Sequence, residues 1–316
     1  MYHSYHYHSP RYDARTTGIA LVVFGVSLIL DGLRRLRVAR RVEDTPRSRA
    51  VSAPQGLAEL QGYGWAARAD GCVACLDGRP AIYRHFEIQR RVSSGRSRYW
   101  QTVYEERHNP PFLLVDATAA VIVNAPEAQW EMRQQTIAWE QAGTEVRSRY
   151  AAQAPSGVFS TLRLVERRVL QGSPVYARGS FRTPQATLAV RPSPGVSEFW
   201  IHVKRLEDPA YRAAMLDQNR DGVVTDQEAE SVMAAGSAVW ARSAVQRAPE
   251  AQPLPMPPLS GVLASDQNHV LLVADCGEDQ LVKRLGHGIW MIIGGALLAG
   301  LGSAILYQAK SLPFHY

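Results

Sequence analysis

Hydrophobic positions divide this chain of 316 residues into two uninterrupted apolar runs near its ends and a long stretch of short, alternating segments between them. The first run, Thr16 to Leu30, reads TTGIALVVFGVSLIL and carries no charge; Asp31, Gly32 and Leu33 follow before the arginines begin. A bilayer core needs about 20 residues of helix, so a transmembrane helix over 16–33 requires Asp31 at the interface and arginine stems that snorkel. A removed signal peptide would want basic residues before the run and a small-residue cleavage site after it. Here Arg34, Arg35, Arg37, Arg40 and Arg41 follow instead, which favours a retained anchor. The second run, Leu285 to Tyr307, has no formal charge when His287 is neutral and predicts a second transmembrane helix over 285–307. Its glycines are common in lipid-embedded helices, where small residues permit close approach. Gly288 and Gly295, seven apart, point to packing against the first helix or a second copy.

Between the runs the period changes to two. Ile82, Arg84, Phe86 and Ile88 alternate with Tyr83, His85 and Glu87, as in a half-buried strand, and Ser93-Ser94-Gly95 before Tyr99 reads as a hairpin. Similar segments recur at 56–65, 99–107, 111–125 and 158–181. The expected fold is α+β: a barrel or sandwich of short strands with a helical EF-hand insertion, flanked by two transmembrane helices. The boundaries read as a polar His/Tyr-rich tail (1–15), a β-rich domain (47–205), a helix-loop-helix (206–246), a Pro-rich linker (247–260), and a final strand with its connection (261–280). The block from Arg47 to Phe181 is expected to bury a core of its own.

Composition changes the picture little; charge does more. Lys and Arg total 35 against 29 Asp and Glu, and the basic residues flank both apolar runs on their inner sides: five arginines after the first, Lys283 and Arg284 before the second. The positive-inside rule then puts the body in the cytoplasm and both short tails outside, although Arg11 and Arg15 dilute the asymmetry. Three cysteines cannot make a disulfide framework. Cys72-Val-Ala-Cys75 lacks the second pair that a zinc ribbon needs and reads as two small hydrophobes, with a redox pair as the rival. His3, His6 and His8 interleave with tyrosines; without a second ligand cluster, a polar tail is preferred to a metal tract. Arginines from Arg84 to Arg107, among Tyr83, Tyr99, Trp100 and Tyr104, read as exposed strand faces, so no nucleic-acid partner is expected. No catalytic constellation is visible, and neither GxSxG nor HExxH occurs.

One motif is specific. Asp217 to Glu228, DQNRDGVVTDQE, fits the twelve-residue EF-hand loop at every position. Asp217, Asn219 and Asp221 fall at positions 1, 3 and 5, with Gly222 at the sharp turn. Val223 offers its carbonyl at position 7, Thr225 stands at 9, and Glu228 closes the loop as the bidentate carboxylate at 12. Alternating oxygen ligands around a hard cation predict Ca²⁺ at Asp217, Asn219, Asp221, Val223, Thr225 and Glu228. The loop stands alone in the chain, so Val224, at the position through which such loops usually pair, must pack on the β body, a degenerate partner or another protomer.

The order Gly56-x-Ala-Glu59-Leu-x-Gly62, Arg79-Pro80-Ala-Ile-Tyr83-Arg-x-Phe86-Glu87, Trp100-x-Thr-Val103, Pro111-Phe112-Leu-Leu114-x-Asp116, Glu166-x-x-Val-Leu170-x-Gly172 and Val175-Tyr176-Ala-x-Gly179 resembles the GIDE, or "beside a membrane", family. The resemblance covers about residues 47–181 and the layout of two anchors. It implies a module between two transmembrane helices, found in mitochondrial RING-type E3 ubiquitin ligases and in bacterial membrane proteins. Two departures stand out. Asp116 is followed by Ala117, Thr118, Ala119 and Ala120 rather than by an early glycine, and no zinc-binding RING follows the second apolar run, so ligase activity is not implied.

The expected protein is thus a bacterial inner-membrane protein with two transmembrane helices, binding Ca²⁺ and acting as an interaction or scaffold module. Its partners would be the lipid bilayer, an unidentified membrane or soluble protein, and a further copy if it forms a homo-oligomer. The rivals are an accessory component of a ligase-like or other membrane enzyme complex, and a CxxC redox protein.

Overall fold

The computed structural model describes residues 14–43, 46–95, 97–154, 161–183, 192–247 and 253–311, so the His/Tyr-rich stretch of the tail and residues 248–252 of the expected linker lie outside the described residues. It divides into two units, a pair of long apolar helices and a body over Thr45–Gln280.

The helical unit holds α1 (Ala14–Glu43) and a second long helix, Gly288–Ser311. Both are long and apolar enough to cross a membrane. The first continues as helix through the arginines rather than ending near residue 33, because nothing from Arg34 to Arg41 breaks it. The glycines explain how the two pack. A Cβ on Gly25 would lie 2.5 Å from the carbonyl oxygen of Gly295, and one on Gly295 would lie 2.6 Å from that of Gly25. Gly18 with Gly302 and Gly32 with Gly288 repeat the arrangement, so the glycines form an antiparallel ladder with a seven-residue step. Bare backbones in contact maximise dispersion and Cα–H···O contacts, the terms that hold helices together without water.

The body contains, in chain order, β1 (Arg47–Ser48), β2 (Gly56–Ala66), β3 (Val73–Ala74), β4 (Pro80–Ser94), β5 (Ser97–His108), β6 (Phe112–Val115), β7 (Ala120–Asn124), β8 (Gln129–Glu131), β9 (Gln134–Ala138), α2 (Thr144–Tyr150), β10 (Leu162–Leu170), β11 (Pro174–Arg182), α3 (Val196–Arg205), α4 (Pro209–Leu216), α5 (Asp226–Gln246), β12 (Leu259–Ala264) and β13 (Leu272–Ala274). Of the two expected architectures, the barrel is the one formed. Strands β2, β6, β7, β12 and β11 pair in that order, and β11 pairs back to β2. All neighbours are antiparallel except β7 and β12. Strands β2, β6 and β7 meander, β11 returns beside the first of them, and β12 closes the gap: a five-stranded Greek-key barrel with the architecture of OB-folds.

Period-two patterning explains the two faces. Leu60, Phe112, Leu114, Val121, Val123, Val175, Ala177 and Leu263 fill the barrel. Their alternates Trp65, Leu113, Val115 and Ile122 point outward into a second apolar cluster with Phe199, Trp200 and Met233 of α3 and α5. With both faces covered, Phe112–Val115 and Ala120–Val123 read as continuous apolar runs. The turn between β6 and β7, which lacks the early glycine, is made by Asp116: its Oδ1 accepts from the Thr118 N–H at 2.7 Å and the Ala119 N–H at 2.8 Å.

A second, open sheet follows the order β3-β4-β10-β9, with β5 paired to β4. Its β4–β5 hairpin is long, 15 and 12 residues, so not every strand is short. Residues 47–181 bury one core among themselves, with Phe86, Ile88, Trp139, Tyr150 and Leu164 in it, but they do not complete the barrel: β12 lies outside that block, and without it β7 and β11 have no common neighbour. The strand expected from residue 261 begins at Leu259 and belongs to the barrel rather than to a trailing connection.

Candidate functional site

The segment from Asp208 to Gln246 is helix, loop, helix. Asp208 caps α4 by accepting from the Ala210 N–H at 3.0 Å, and Pro209 occupies the first turn, where no amide is needed. Thr225 caps α5, and its side chain and that of Glu228 form a reciprocal capping box.

The twelve positions between them are drawn together by side-chain oxygens that accept from the loop's own backbone. Asp217 Oδ2 accepts from Gly222 N–H at 2.9 Å and its Oδ1 from Asp221 N–H at 3.2 Å. Asn219 Oδ1 accepts from Asp221 N–H at 2.9 Å, and Asp221 Oδ1 from Val223 N–H at 2.8 Å. Gly222 has φ +82°, as the sixth position of such a loop demands, and Arg220 is left-handed at +59°. Glu228 Oε2 accepts from the Thr225 N–H at 3.0 Å and hydroxyl at 2.7 Å, while Oε1 reaches back to the Asn219 N–H at 3.3 Å. Those two Thr225 donors, the backbone one foremost, hold the Glu228 carboxyl below the usual carboxylate range.

The structure thus joins Asp217, Asn219 and Asp221 through shared amides and joins Thr225 to Glu228. Among the described residues, no group of three or more His, Cys, Asp or Glu side chains converges as a metal ligand set. Val224 packs against the cluster shared by the barrel and α3, and Leu216, Ala229 and Met233 lie buried in it. The β body is therefore where this loop's apolar position goes.

Two further contacts were invisible in sequence spacing. Asp226 Oδ2 accepts from the Gly277 N–H at 2.6 Å, and Arg133 bridges Glu230 of α5 and Asp275. The first turn of α5 is thereby fastened to the chain just past β13. The cysteines are also placed. Cys72 and Cys75 are unbridged, and burial pushes each thiol up to about 12, the reverse of what a nucleophilic thiol needs.

Comparison with family models, with curated proteins and with solved structures returned no match.

Proposed function

We propose that this chain is a membrane protein, held in a bilayer by both long helices, whose body binds Ca²⁺ through Asp217, Asn219, Asp221, the Val223 carbonyl, Thr225 and Glu228 and acts by holding a partner rather than by chemistry. The observation that carries the calcium reading is the agreement between spacing and backbone: oxygen side chains at alternate positions, with a glycine at φ +82° in the sixth, between two capped helices. The donor set is all oxygen, which suits a hard cation, and each accepting carboxylate keeps lone pairs beyond those its amides use. Mg²⁺, which demands a smaller octahedral shell, should bind less well.

Titration calorimetry on the full chain in detergent tests this. Calcium heats should be strong relative to magnesium, and Glu228→Ala, which strips two ligating oxygens, should weaken binding far more than Thr225→Ala, whose position often works through water. No calcium-dependent heat at millimolar metal, or an unchanged response in Glu228→Ala, would leave the loop as an acidic turn.

The charge asymmetry supports a cytoplasmic body. Ser94→Cys offers an exposed thiol on a body in which Cys72 and Cys75 are poor nucleophiles and Cys276 is buried. It should resist a membrane-impermeant maleimide in intact cells and react after lysis; labelling before lysis would place the body on the other side. The resemblance to the GIDE family supports a bacterial inner-membrane protein and the scaffold reading.

A further inference from the structure

Arginines on the second sheet fall into two groups. Toward its base, Arg84, Arg107, Arg167 and Arg168 each pair with a carboxylate. Toward the tip of the β4–β5 hairpin the acids stop: from Ile88 to Tyr104 there are four arginines and no Asp or Glu. Among the described residues, Arg90, Arg91 and Arg98 make no ion pair with a carboxylate. The pairing register sets Arg91 opposite Trp100 and Ser93 opposite Arg98, so Arg91, Trp100 and Arg98 share one face. Arg163 of β10 joins them, its guanidinium 4.2 Å from the Trp100 ring centroid. Tyr99, opposite Val92 on the other face, is 51% exposed and Trp100 is 38% exposed.

We propose that this hairpin tip docks on the anionic headgroups of the bilayer that holds the chain's own helices. The inference rests on the membrane reading above. Charge complementarity selects an anionic partner, and the aromatic neighbours select one with a water–hydrocarbon boundary, where Trp and Tyr rings settle. Two other anionic or strand-like partners fit less well. Arg163 covers one face of Trp100, which removes that face as a stacking platform for a nucleic-acid base. Strand addition on β5 meets an edge interrupted by the register shift between Ile88 and Gln89 and guarded by Arg98. Because the body is joined to a membrane helix at each end, each contact forms at high effective concentration and need not be strong alone.

The test uses the full chain with Ser94→Cys carrying an environment-sensitive fluorophore, in single-protein nanodiscs containing nitroxide-headgroup lipid. The lipid is either phosphatidylcholine alone or a mixture with phosphatidylglycerol. The fluorophore should be quenched in anionic discs, spared in neutral ones, and released at roughly 0.5 M salt, where screening shrinks to a few ångströms. Arg91→Glu and Arg98→Glu should each lower the docked-to-free ratio by roughly fivefold or more. The salt arm needs no charge-altering substitution, so a variant that misfolds leaves the test intact. Equal quenching in neutral discs, indifference to salt, or displacement by a micromolar oligonucleotide or acidic peptide would overturn the proposal. A chain that fails to enter discs at all would instead sink the membrane reading on which it rests.

Discussion

Glu166 and Glu59 are both strand glutamates with no exposed surface, and their surroundings are opposite. On the second sheet, Glu166 Oε1 accepts from Arg84 Nε at 2.8 Å and from the Leu76 N–H at 3.1 Å, while Oε2 accepts from Arg168 Nη1 at 3.1 Å. Arg84, itself 2% exposed, also donates to the Tyr150 hydroxyl at 2.8 Å, which donates to Glu106 at 2.8 Å. Register sets Arg84 directly opposite Arg168, a repulsive pair that the carboxylate between them neutralises. On the outer face of the barrel, by contrast, neither oxygen of Glu59 has a hydrogen-bond partner among the described residues, and the Gln61 carbonyl and Tyr176 hydroxyl beside it are unpaired too. Burial, reinforced by Glu278, pushes the Glu59 carboxyl up to about 7 against the pull of Arg47 and Arg178. A sheet can bury a charge by surrounding it with donors, or bury a carboxyl by letting it keep its proton.

The sharpest way to break this contrast is to remove the charge from the paired carboxyl. Glu166→Gln keeps the shape but takes from the buried Arg84 its nearest anion, leaving Glu106 at 3.6 Å, and should lower unfolding stability by up to about 3–5 kcal/mol in denaturant titrations of the full chain in detergent. A double change, Glu166→Leu with Arg84→Met, should recover much of that loss, because apolar pairs of similar volume often replace buried ions without penalty. Equal losses in the single and double variants would mean that the network stabilises more than it costs to bury.

Glu59→Gln should act in the other direction, with a smaller effect. A carboxyl at about 7 in the folded state and near 4.5 unfolded favours folding fully below pH 4.5. That contribution fades as pH rises through about 7. A neutral amide removes the loss, so the variant should be more stable than the parent at pH 8, by up to about 3 kcal/mol, and its stability should be flatter between pH 5 and 8. A variant with the parent's pH profile would mean that Glu59 is ionised in the native fold.

Legibility in the sequence followed locality. The turn within Asp217 to Glu228 was readable because the residues that shape it lie within twelve positions, and Gly222 makes its left-handed turn where the spacing put one. The two long apolar helices and the β4–β5 hairpin were readable for the same reason, whereas α2 and α3 lie inside the stretch read as β-rich. What escaped depends on pairing at long range. LSGVLA, at 259–264, alternates weakly, and only its parallel pairing with β7 and antiparallel pairing with β11 make it a barrel strand. Glu59 sits among alternating residues like any solvent-facing position, and nothing nearby in sequence announces that Gly277 and Glu278, more than two hundred residues on, come to its side of the barrel. The Asp226 to Gly277 bond was hidden for the same reason.

The position of β12 also dictates when the molecule can finish folding during synthesis. Its two neighbours, β7 and β11, emerge from the ribosome long before it does, and they stay unjoined until Ala264 has been made. By then α1 has been available for insertion throughout, while the hairpin and the helices around the loop have waited on an open sheet with one exposed seam. The second long helix begins at Gly288, so barrel closure and its insertion become nearly simultaneous events. A nascent chain stalled once Ala264 has cleared the ribosomal exit tunnel should therefore carry a body that resists protease, whereas one stalled while Leu259 is still enclosed should not.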